Sequence, residues 1–180
     1  MKVGVTLAVA MIILALSSAI LGYALAASQL HSSIGEVKRK ISSLTYIAEI
    51  ISAKEHVEDS FYYAQAIIED ECIAESIGKA LSMNFTVKSN IKASANTLFL
   101  KKLKHDLTLL NETPPPERSI GLHEQYVSVL ERYIRNYERY IIYFENEESC
   151  SMLKTVLASL NSDYNKLSVL ANAIVKNLSK

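Results

Sequence analysis

Along residues 28–180 the apolar positions recur in alternating steps of four and three, the pattern of helices that each bury one stripe. Leu30, Ile34, Val37, Ile41, Leu44, Ala48 and Ile51 form the first seam, of the a/d kind found in coiled coils and long bundle helices. Past Ile51 that seam meets Glu55 and Glu58, and a second one starts out of phase at Val57, Phe61, Ala64 and Ile68. The phase change predicts either a turn or kink near 53–56 or one helix whose buried stripe rotates. No glycine or proline lies between Gly35 and Gly78, which favours a continuous, bent helix over about 28–82.

Periodicity lapses at Ser82–Thr86, and a new helix over 91–111 is expected to bury Ile91, Ala95, Leu98, Phe99, Leu103, Leu107 and Leu110. Pro114, Pro115 and Pro116 end it, because proline restricts the residue before it and donates no N–H. The third stretch, 119–145, repeats every seven residues in three adjacent rows: Tyr126, Tyr133, Tyr140; Val127, Ile134, Ile141; Leu130, Tyr137, Phe144. A face that broad belongs in a bundle interior. The last helix, 149–178, keeps the four-three rhythm from Leu153 through Leu157, Leu160, Tyr164, Leu167, Ala171 and Ile174 to Leu178.

The first 27 residues have a different character. Val3 to Ala27 is 25 residues without a charge, and at ~1.5 Å per residue a helix of that length covers a ~30 Å hydrocarbon core. We expect it to anchor the chain in lipid as a transmembrane segment. The competing expectation is a signal peptide cleaved near Ala26, since Ala24-Leu25-Ala26 fits the small-x-small rule, but the apolar run exceeds the length usual for such peptides. Ser18, Gly22 and Ala26 leave one face of this segment small enough for close helix approach. With only Met1 and Lys2 ahead of the span, residues 28–180 are expected to lie on one side as a block, outside the cytoplasm. The sequons at Asn84, Asn111 and Asn177 suit that side as candidate glycosylation sites.

Nineteen basic residues balance nineteen acidic ones, which removes any global electrostatic case for nucleic-acid binding. The balance is a sum of alternating blocks. Residues 28–85 carry 5 basic and 9 acidic side chains, 86–118 carry 6 and 3, 119–148 carry 3 and 6, and 149–180 carry 4 and 1. Such alternation suits antiparallel neighbours. Cys72, late in the first long helix, and Cys150, at the head of the last, fall near the same end of an antiparallel bundle and are expected to form a disulfide.

Chemistry is sparse. No phosphate loop, nucleophile elbow, HExxH or CxxC is present, and no histidine has a glutamate three residues before it, as a di-iron bundle would need. Glu55, His56, Glu58 and Asp59 cluster locally, as solvated helix faces do. We therefore expect no catalytic residue, metal or cofactor. Tyr126, Tyr133, Tyr137, Tyr140 and Tyr143, interleaved with Arg132, Arg135 and Arg139, have two readings, core packing or a protein-binding surface.

These features predict an all-α protein in two parts: a transmembrane anchor at 1–27 and an extracytoplasmic antiparallel bundle at 28–180 with coiled-coil-like seams. The expected role is structural or protein-interacting, through self-association or another cell-surface protein. The alternative is a sensory, small-ligand-binding ectodomain that works with a partner chain.

Overall fold

The computed structural model describes residues 2–81, 90–146 and 148–179, with side-chain surroundings for 22, 28–81, 92–146 and 148–179. The described residues form four α-helices, α1 (Lys2–Leu81), α2 (Asn90–Glu112), α3 (Ile120–Glu145) and α4 (Cys150–Leu178), with one 3-10 turn, Glu117–Ser119, ahead of α3. There is no strand among the described residues. The chain divides into two compact units, Met1–Ser42 and Ser43–Lys180.

In the first unit, only the stretch from residue 28 on, together with Gly22, has described surroundings, so the expected anchor at 3–27 and its small-residue face lie outside the described side chains. Among the described residues no helix is long and apolar enough to cross a membrane. Leu30, Ile34, Val37 and Ile41 are all exposed, and Lys40 pairs with Glu36 one turn back at 2.8 Å.

The second unit is an up-down-up-down four-helix bundle. His56 meets Asp106, and Tyr63 meets Phe99 and the Lys92 carbonyl, so α2 runs antiparallel to α1. Asn96 meets Tyr140, so α3 turns back along α2, and Arg132 meets Asp163, so α4 turns back along α3. Phe61 stacks on Tyr164 at 4.9 Å and closes the ring between α1 and α4. Tyr46 on His123 and Ser60 on Tyr133 link α1 to α3, which run in the same direction.

No turn or kink interrupts α1 at 53–56. The buried stripe in this unit is Tyr46, Ile50, Ala53, Val57, Phe61, Ala64, Ile68 and Cys72, one unbroken four-three series already in phase at Tyr46. The apparent phase change in the sequence is two seams overlapping on opposite faces. The a/d seam expected to be buried is instead exposed throughout, with Leu30, Ile34, Val37, Ile41 and Leu44 between 56% and 65% exposed and Ile51 at 41%. In α2 the expected Leu103 and Leu110 are buried and Phe99 and Leu107 pack against the core, but Leu98 is exposed and Asn96 and Asp106 are buried beside them. The rows of α3 and α4 pack largely as their periodicity implies.

At one end of the bundle Cys72 and Cys150 are joined as a disulfide with Cα atoms 5.2 Å apart. Beside it Glu75 of α1 accepts the Cys150 N–H at 2.9 Å, satisfying one orphan donor at the start of α4, where Ser149 makes no side-chain cap. Lys79 pairs with the other oxygen of Glu75, and these bonds hold its carboxyl below the usual range. The disulfide closes a ring across a sequence separation of 78, for which the chain-entropy account allows about 4 kcal/mol. We predict that replacing both cysteines by serine lowers the unfolding free energy of the full chain by about 2–4 kcal/mol, read by chemical denaturation.

Candidate functional site

The chemically distinctive part of the bundle is a ladder of polar groups set into its core by α3. Tyr126, Tyr133, Tyr137 and Tyr140 are all fully buried, together with Leu130 and Phe144. A protein-binding surface made of those four rings is therefore excluded, and they act as core. Tyr143 is half-buried against the same core. Arg135 and Arg139 are exposed, with Arg135 3.9 Å from Glu131 within the helix.

At the middle rung Tyr133 Oη lies 2.8 Å from Ser60 Oγ, and both hydroxyls reach the Val57 carbonyl, at 3.1 and 2.9 Å. At the next rung Tyr137 donates to Asn96 Oδ1 at 3.2 Å, and Asn96 Nδ2 donates to Tyr140 Oη at 3.4 Å, so both ends of a buried amide are used. Below the Ser60 rung the ladder holds more titratable groups, at two levels. Tyr46 Oη is 2.9 Å from His123 Nδ1, and His56 Nδ1 donates to Asp106 Oδ2 at 2.7 Å. Burial lowers the pKa of His123, which favours its neutral ring. Tyr126 Oη and Glu49 Oε2 are buried here without a hydrogen-bond partner. The Asp106 and Tyr46 charges reinforce burial in raising the Tyr126 hydroxyl pKa.

A second polar feature lies between α3 and α4. Arg132 donates from Nε at 2.8 Å and from Nη2 to Asp163 Oδ1, while Asn136 donates to Oδ2 at 2.9 Å. Asp163, the one acidic residue of 149–180, is almost fully buried, so this ion pair runs against the alternating net charges of its helices. Other contacts follow the alternation instead: the exposed Lys104 with Glu138 at 2.7 Å, and the largely buried Lys92 near Asp70 and Glu71 at 3.9 and 3.7 Å. Also between α3 and α4, an open groove of about 650 Å³ is lined by Val129, Val169 and Leu170 among polar neighbours.

Among the described residues no group of three or more His, Cys, Asp and Glu side chains is placed to hold a metal ion. His56 is drawn across to α2, away from the local acidic cluster in which its sequence sets it. Of the sequons, Asn84 lies outside the described residues, Asn111 is exposed, and Asn177 donates its amide to the Arg118 carbonyl at 2.7 Å. The polar core residues Ser60, Asn96, Asp106 and Asp163 were not foreseen as functional. Each sits one place away from a position that the four-three count selects, so the count passes over it.

Two predictions follow from this polar core. Arg132→Ala leaves the buried Asp163 carboxylate with Asn136 alone; because Arg132 is partly exposed to solvent, we expect a loss of about 1–3 kcal/mol, read by denaturation. Burial raises the pKa of the core tyrosines Tyr46, Tyr126, Tyr133, Tyr137 and Tyr140. Burial pushes Tyr46 up to about 12 from an ordinary 10.0, so its contribution to stability is complete below the unfolded value and is lost as pH rises toward the folded one. We expect phenolate absorbance to appear together with loss of helicity above that unfolded value. Normal titration of all ten tyrosines in a chain that stays folded would contradict this.

No protein-family model matches the chain, and neither a curated protein nor a solved structure resembles it.

Proposed function

We propose that the chain is a single-pass, membrane-anchored protein whose helical bundle lies outside the cytoplasm and serves as a structural or protein-interaction module, without catalysis. The observation that carries the reading is the contrast between its interior and one of its faces. Inside, histidine, aspartate, arginine, asparagine and tyrosine side chains are largely engaged with one another. Outside, α1 presents large apolar side chains at regular helical spacing. Exposed apolar surface in that pattern marks a contact surface rather than a reaction centre.

The 25-residue uncharged segment at 3–27 supports the anchor, and a disulfide between the only two cysteines supports an oxidising compartment. Secretion after cleavage near Ala26 is the variant of this reading that keeps the bundle and gives up the anchor.

Cell fractionation tests it. The chain is expected in the membrane pellet after alkaline carbonate washing, with the bundle digested by protease added to the outside of intact cells. The mass of the mature protein is expected to equal that of the full sequence with one disulfide, plus any glycan. Recovery of the uncleaved chain in the carbonate supernatant would overturn the anchor, and protection of the bundle in intact cells would overturn its placement.

A further inference from the structure

Between Leu44 and Ile51, α1 is apolar on two opposite faces. Tyr46 and Ile50 are fully buried in the bundle core, while Leu44 and Ile51 on the other side are exposed. A helix apolar all round is ordinarily covered all round. In the first unit the exposed side chains Leu30, Ile34 and Val37 keep the same four-three count.

The chemistry of this seam selects its cover. Written as heptads, Ile34 and Ile41 fall at a, with Leu30, Val37 and Leu44 at d. β-Branched residues at a with mostly leucine at d favour two parallel strands. The flanking g positions are Ser33 and Lys40, and the flanking e positions are Lys38 and Thr45. In a parallel, in-register pair each g residue faces the following e residue of the other helix, so Ser33 faces Lys38 and Lys40 faces Thr45, and no like charges meet. In the antiparallel pairing that overlaps Leu30 to Ala48, Lys38 faces Lys38 and Lys40 faces Lys40.

We infer that this seam binds the same seam of a second copy of the chain as a parallel, in-register, two-stranded coiled coil. The inference rests on the membrane-anchored interaction reading and names its partner. An anchor ahead of Leu30 sets two copies in the same direction. It also supplies the raised effective concentration that a seam of only three heptads requires, since helices this short associate marginally when free. The pair would remove on the order of 1,000 Å² of surface from water, the lower bound of a specific interface.

The test uses the full chain in native membranes. Val37→Cys places a thiol at d and Arg39→Cys places one on the outward f position of the same turn. Mild oxidation is expected to give about tenfold more covalent dimer at position 37 than at 39, as a d-d contact in register requires. Adding Ile34→Glu to the Val37→Cys chain is expected to abolish that dimer, while helicity and the Cys72–Cys150 bond persist and show that the bundle is folded.

A chain that stays in carbonate-washed membranes but forms no dimer at 37, or as much at 39, overturns the coiled coil and leaves the anchor standing. Dimer at 37 in a chain found soluble overturns the anchor and supports the coiled coil. A soluble chain without dimer overturns both.

Discussion

A tyrosine buried between helices brings a hydroxyl that must be matched, because an orphaned one costs about 1–3 kcal/mol. Helix α3 buries four, and three of them are answered from the neighbouring helices. Tyr133 fixes α1 at Ser60 and Val57, and Tyr137 and Tyr140 together fix α2 at Asn96. Apolar packing alone would tolerate a slide of one helix past another by a residue or a turn, since leucine stripes are repetitive. Hydroxyl-to-amide contacts are not repetitive, so each rung admits one register. Arg132 on Asp163 does for α4 what the tyrosines do for α1 and α2.

This division of labour explains which features were legible in the sequence. Helix count, the boundaries of α3 and α4 and the corner at Pro114–Pro116 rest on periodicity and backbone chemistry, which are local. The disulfide was also legible, because two cysteines at the same end of an up-down bundle have only each other. The phase of α1 and the polar core positions were not. Ser60, Asn96 and Asp106 occupy core positions that an apolar count passes over, while Leu44 and Leu98 face outward and attract the count.

The candidate polar groups were hidden for a related reason. His56 and Asp106 are 50 residues apart, and Arg132 and Asp163 are 31 apart, whereas each basic residue has nearer acids along its own helix. Intrahelical neighbours are visible in a sequence, but burial decides the pairing. A carboxylate such as Asp163, taken almost wholly out of water, needs a committed partner far more than an exposed one does.

The link between Cys72 and Cys150 turns α2, α3 and the end of α1 into a closed loop of chain. A single backbone cut anywhere within that loop therefore separates nothing: the two pieces stay tied through sulfur. Enzymatic nicking of its connecting segments would pass unnoticed in size until the bond is reduced, and the part of the chain that holds the tyrosine ladder would stay joined to α1.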